Sequence, residues 1–150
     1  MSNHQFAPLT LPGTMDKLGD SLSTLRKYVA DAAGLAGLET QAMHRLRLAV
    51  DEVAANIIMY GYEQTPELGV VQVTATIDDR MLTIALEDTG TPYDPSKRDT
   101  PADLDDPLET REIGGLGVYL AIRNVDEFSY KRVDNRNINQ FVMRRPAVKG

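Results

Sequence analysis

Two short stretches, VVQVTATI (residues 70–77) and MLTIALE (residues 81–87), alternate apolar with polar residues and are separated only by Asp78, Asp79 and Arg80. A period of two puts Val71, Val73, Ala75 and Ile77 on one face of a strand and Gln72, Thr74 and Thr76 on the other. Leu82, Ile84 and Leu86 repeat the pattern in the second stretch. A connection this short joins antiparallel neighbours, because a parallel pair needs a crossover of a dozen residues or more. The pair therefore forms a hairpin with one apolar face, and that face needs a second layer to cover it.

Helical patterns supply the layer. In MDKLGDSLSTLRKYVADAAG, Leu18, Leu22, Leu25 and Val29 recur at helical spacing, and the pattern closes near Gly34. A longer helix is predicted from about Thr40 to Tyr60, with Met43, Leu46, Val50, Val53 and Ile57 as its apolar stripe and Gly61 as its stop. Residues 89–113 carry prolines and clustered acids without a sustained period, a segment of the kind that is usually functional or mobile. A short helix follows from about Leu116 to Asn124. EFSYKRV and INQFVMRR then read as a second hairpin around DNRN. The order helix, helix, hairpin, loop, helix, hairpin describes an α+β fold: a two-layer sandwich of a mixed, mainly antiparallel sheet with helices on one face. A single domain is expected over residues 1–150, with its core at about 14–145 and PAVKG as a frayed tail.

Composition narrows the chemistry. A chain of 150 residues is long enough to bury a core without staples, and it has no cysteine, so neither disulfides nor a thiol nucleophile enter. His4 and His44 lie far apart in sequence, which argues against a histidine zinc site. The formal charge of −6 argues against direct binding to nucleic acid. No apolar run reaches membrane-spanning length and MSNHQFAPLT lacks the form of a signal peptide, so no membrane role and a cytoplasmic location are expected. Leu18, Leu22 and Leu25 could serve a homodimer or another partner, with core packing as the plainer use.

Three motifs carry chemistry. Glu52 and Asn56 lie one turn apart on the long helix, off its apolar stripe. A carboxylate there can take a proton, and an amide oxygen can ligate Mg²⁺. In ALEDTGTPYDP, Asp88 at the end of a strand can accept from an amine such as that of adenine, and Gly90 lets backbone approach a flat ring. In IGGLGVYLAIRNV, Gly114, Gly115 and Gly117 open a helix and leave N–H groups free to face phosphate oxygens. Each has a plainer reading alone: a solvated polar pair, an Asp-Gly turn, and a hinge before a helix.

In this order and separation, the three motifs resemble the nucleotide site of the GHKL ATPase superfamily, which has the Bergerat fold. The match covers roughly residues 40–145. DTGTPYDP, GGLGVYLAIRNVDEFSYKR and ANIIMYGY are similar to the anti-sigma factor serine kinases within it. That resemblance implies ATP and Mg²⁺, with Asn56 on the metal, Glu52 as the base, and Asp88 and Gly90 at the adenine. Gly114, Gly115 and Gly117 would lie by the phosphates, and residues 96–113 would form a lid. Ile113 stands where some of these kinases carry a basic residue, and Arg111 is the nearest replacement. Lys97 and Arg98 are further candidates for phosphate contacts, and Tyr60 stands where His is frequent. The resemblance also implies phosphorylation of a serine on an anti-anti-sigma factor (a STAS-domain protein) and sequestration of a sigma factor. The alternative is an ATP-gated binding module or anti-sigma adaptor without significant phosphotransfer.

Overall fold

The computed structural model describes residues 4–63, 69–97 and 115–146. Strands β1 (His4–Gln5) and β2 (Leu9–Pro12) precede a 3₁₀ turn (Met15–Lys17), helix α1 (Leu18–Ala36) and helix α2 (Thr40–Asn56). A π-helical turn (Ile57–Gly61) continues α2. The hairpin β3 (Val70–Ile77) and β4 (Met81–Asp88), helix α3 (Gly115–Ile122), and the hairpin β5 (Glu127–Val133) and β6 (Arg136–Arg144) complete the described elements. The sheet runs β1-β3-β4-β6-β5, with β2 also on β3, and every pairing is antiparallel. The expected α+β sandwich is present.

Both hairpins form as the alternation predicts, each closed by local chemistry. Asp78 Oδ1 accepts from the backbone N–H groups of Arg80 at 2.7 Å and Met81 at 2.8 Å. That Asx bond closes the first turn. In the second hairpin Val133 pairs with Arg136, and Asp134 takes a positive φ of 56° in the turn between them. Asp tolerates this better than a branched residue.

The helices differ from expectation at their ends. Gly34 lies inside α1, and the stop is Gly37 at φ 76°. There Leu38 N–H returns to the Ala33 carbonyl at 3.0 Å. Glycine reaches this left-handed conformation without strain, which Gly34 in a regular helix does not need. The long helix changes winding at Ile57, one residue after Asn56, although its residues follow the expected period. The N-terminal edge segment has no counterpart in the sequence reading. It runs along β3, Leu9 opposite Val73 and Leu11 opposite Val71. Pro8 and Pro12 obscure the pattern, and an edge position tolerates Pro12.

The core lies between the inner face of the sheet and the helices. Leu46, Val50 and Val53 of α2 and Leu25 and Val29 of α1 are fully or almost fully buried against Val71, Val73, Leu82, Ile84 and Phe141. Leu18 and Leu22 are partly buried and pack on the same cluster, so this face of α1 serves the core. The buried row of β4 is Leu82, Ile84, Leu86 and Asp88; that of β6 is Asn137, Asn139, Phe141 and Met143. Register sets Asp88 opposite Asn137 and Leu86 opposite Asn139. The inner face is thus apolar along most of its length and polar at one end.

Candidate functional site

That polar end floors a cavity of about 340 Å³ whose lining includes Asn56 and Ile57 of α2 and its π turn, Asp88, Asn137 and Asn139 of the sheet, and Tyr93. The size lies in the range of small-ligand sites. Asn56 and Asp88, 32 positions apart in the chain, therefore share one cavity. The π turn beginning at Ile57 brings Tyr60 and Gly61 into the lining as well. Such turns widen the helix and recur at functional sites.

Asp88 is only 4% exposed. Its Oδ1 accepts from Gly90 N–H and from Asn137 Nδ2, each at 2.9 Å. Its Oδ2 is buried with no hydrogen-bond partner among the described residues, and the same holds for Asn139 Oδ1. Burial raises the Asp88 carboxyl above its ordinary range; hydrogen bonds from Asn137 and Gly90 and the charge of Arg132 oppose the rise. Two residues of the cavity lining thus each carry a buried acceptor without a donor among the described residues, a need that N–H groups of a ligand can meet.

Gly90 is buried, and its missing side chain matters for a reason the sequence did not reveal. A Cβ there would lie 2.5 Å from the Gly61 carbonyl oxygen and 3.1 Å from Asp88 Oδ1. What excludes the Cβ is the backbone of the π turn. Thr91 N–H donates to the same Gly61 carbonyl at 2.9 Å, so Gly90 is where the strand end and the π turn meet. Tyr62, 3% exposed, ties this junction together. Its hydroxyl donates to the Val70 carbonyl at 2.6 Å and accepts from Thr89 N–H at 2.9 Å.

On α2, Glu52 and Asn56 are both half-buried. Glu52 leads away from the cavity floor toward α3. A Cβ on Gly117 would come within 3.2 Å of Glu52 Oε2, so the bare glycine lets the carboxylate lie against the start of that helix. Gly115 is the first residue of α3. Gly114, Arg111, Arg98, Ile113 and the expected lid from residue 98 onward lie outside the described residues; of that lid, Ser96 and Lys97 are described and exposed. His44 is exposed on α2. Asp51, next to Glu52, points the other way. It accepts from Arg26 Nε of α1 at 2.7 Å, and burial raises its carboxyl.

Asn137, Asn139, Tyr62 and Arg132 were not singled out from the sequence. The available signal was the alternation Asn137, Asn139, Phe141, Met143, which continues an apolar row with two amides. Recognising it requires the register between β4 and β6.

The family model of the histidine kinase-like ATPase domain matches residues 16–144. The chain belongs to this family. Membership places it in the GHKL superfamily and points to ATP as the ligand of the cavity. The histidine kinase-like site fits that ligand: Asp88 Oδ2 and Asn139 Oδ1 are acceptors suited to the amine of adenine, in a cavity of suitable size. ATP is usually bound with Mg²⁺ in the superfamily, and Asn56, in the same lining, carries an amide oxygen of the type that can ligate that ion. No curated protein matches the chain.

Proposed function

We propose that the protein is an ATP- and Mg²⁺-dependent serine kinase acting on an anti-anti-sigma (STAS-type) partner, and that it sequesters a sigma factor. The observation carrying the reading is that Asn56 shares one cavity with Asp88, whose Oδ2 has no partner among the described residues, while Glu52, one turn from Asn56, lies against Gly117. Asp88 receives the adenine amine, and Asn56 faces the metal. Gly115 and Gly117 bring the α3 backbone to the phosphates; Gly114 and Arg111 join them as phosphate contacts on the family resemblance alone. Bound Mg²⁺ neutralises charge on the transferring phosphoryl group. Glu52 accepts the proton of the attacking serine hydroxyl as the serine oxygen bonds the γ-phosphorus and the bond to the bridging oxygen breaks, with ADP leaving. Positioning does most of the remaining work. The choice of partner class comes from the resemblance of DTGTPYDP and GGLGVYLAIRNV to anti-sigma factor kinases.

Labelled ATP and a STAS-type protein encoded beside this one test the reading. Wild type should label a serine of the partner, and Glu52→Ala should not. Equal labelling by both proteins would remove Glu52 from its role. Nucleotide-dependent partner binding without any labelling would replace the kinase with an ATP-gated module.

A further inference from the structure

Asn137 stands between two sets of partners. Its Oδ1 accepts from the Tyr130 hydroxyl and from Arg132 Nη1, the latter at 3.0 Å. Its Nδ2 donates to Asp88 Oδ1 at 2.9 Å and to the carbonyls of Gly90 at 3.1 Å and Thr91 at 3.3 Å. The two ends of an amide are nearly equal in size, so shape does not distinguish this orientation from one turned by half a turn; the partners do. A tyrosine hydroxyl can donate or accept and adapts to either. A guanidinium only donates. On its side of the amide, Arg132 is therefore the group that forbids the turned form. Its Nη1 also donates to the Gly90 carbonyl at 3.0 Å, holding the amide and the backbone beside Asp88 together.

We propose that Arg132, assisted by Tyr130, is a positioning residue for recognition of the nucleotide base. It locks the Asn137 amide so that Asp88 is held through Oδ1 and presents Oδ2 to an exocyclic amine. The inference rests on the ATP reading above. Arg132 is exposed and is not part of the cavity lining, so it acts through Asn137 and Asp88. Without it, Asn137 Oδ1 loses a charge-assisted donor and the Gly90 carbonyl loses its link to the amide. The acceptors on the Asp88 side alone then hold the amide, the carboxylate is anchored less firmly, and the preference for an amine over a carbonyl at the base weakens.

Titration calorimetry of the full chain with ATP and with inosine triphosphate, both with Mg²⁺, tests this in wild type, Arg132→Met, Asn137→Leu and the double variant. Arg132→Met should weaken ATP about tenfold and inosine triphosphate far less, as expected for one charge-assisted hydrogen bond. In the Asn137→Leu background the same substitution should change ATP affinity by less than about twofold, because coupled residues are not additive. Equal losses for both triphosphates, or an undiminished loss in that background, overturn the proposal. If Arg132→Met does not fold, Arg132→Gln keeps a polar side chain there but can present an acceptor as well as a donor to the amide. Unchanged selectivity in that folded variant also overturns it. Wild type that binds neither triphosphate ends the ATP reading and this proposal together; wild type that binds ATP with selectivity insensitive to residue 132 ends this proposal alone.

Discussion

The two ends of the proposed ATP site, one for the base and one for the phosphates, are built differently. At the base end, Asp88, Asn137 and Asn139 project from neighbouring strands and are at most 4% exposed, and Asp88 and Asn137 are cross-braced by Gly90, Tyr130 and Arg132. At the phosphate end, Glu52 and Asn56 stand half-buried on one helix face, and Glu52 meets α3 across a single missing Cβ. A sheet fixes positions through register and holds buried groups rigidly; a helix face leaves its side chains room to adjust. Damage at the base end should therefore remove binding. Damage at the phosphate end should remove rate while leaving binding nearly intact.

Glu52→Ala gives the largest expected effect and the sharpest contrast. Transfer to the partner serine should fall by about 10²–10⁴, the usual contribution of a positioned general base, while ATP affinity changes by less than about threefold. Single-turnover transfer beside calorimetry checks it. A matching loss in affinity would mean that Glu52 belongs to the binding apparatus and would blur the contrast.

Asp88→Asn attacks the other end. The amide oxygen can still accept from Gly90 and Asn137, but the unpartnered position becomes a donor. ATP affinity should fall by about tenfold to a hundredfold, and inosine triphosphate, which presents a carbonyl there, should lose far less. Stability should move the opposite way. The folded-state pKa of Asp88 is raised by burial, so its favourable contribution is fully present below the ordinary value of 3.8. That contribution is lost as pH rises through the folded value. In ligand-free protein, Asp88→Asn should therefore melt higher than wild type near pH 7, and the gain should vanish near pH 3.8 and below. A residual slope of the same sign should persist, because burial also raises Asp51. Melting temperature against pH for both proteins decides it; a lower melting temperature for the variant at pH 7 contradicts it.

The same contrast governs what could be read from sequence. Glu52 and Asn56 are four apart on one helix, so their common face was visible as local spacing. Asp88 announced itself by following an alternating strand. Asn137 and Asn139 did not, because an amide continuing a strand pattern is ambiguous until register places it opposite Asp88 and Leu86. Gly90 was legible as a position where glycine lets a ring approach, but a further neighbour was hidden: the Gly61 carbonyl that excludes a Cβ comes from a change of helix winding. The periodicity of ANIIMYGY reads as ordinary α-helix there. The sheet's outer edge was hidden by Pro8 and Pro12 for the related reason that pairing on β3, not propensity, makes those residues a strand.

Gly90→Ala tests whether the base end is as rigid as its bonding implies. The new methyl meets backbone at 2.5 Å, which no rotamer change relieves. A cost of about 2 kcal/mol is expected, equivalent to about 4–8 °C in melting temperature for a chain of this size. ATP affinity should drop by about tenfold as Asp88 is displaced. An unchanged melting temperature would show that the π turn yields, and the comparison would then lose its premise.

Gly117→Ala is the mildest probe and the most discriminating for the phosphate end. Its Cβ would sit 3.2 Å from Glu52 Oε2, closer than most contacts, but the neighbour is the far end of a flexible side chain. The carboxylate can retreat by a few tenths of an ångström, and alanine favours the helix by up to about 1 kcal/mol over glycine. Stability should therefore hold or rise slightly, and ATP affinity should stay within about threefold. Transfer should still slow by about tenfold, since a base displaced from the attacking hydroxyl loses much of its effect even over a short distance. Stopped-flow transfer and a thermal melt on the same sample separate these outcomes. A slowed reaction with an unchanged melt locates the defect in the position of Glu52, whereas a fallen melt with unchanged transfer would assign Gly117 to packing alone.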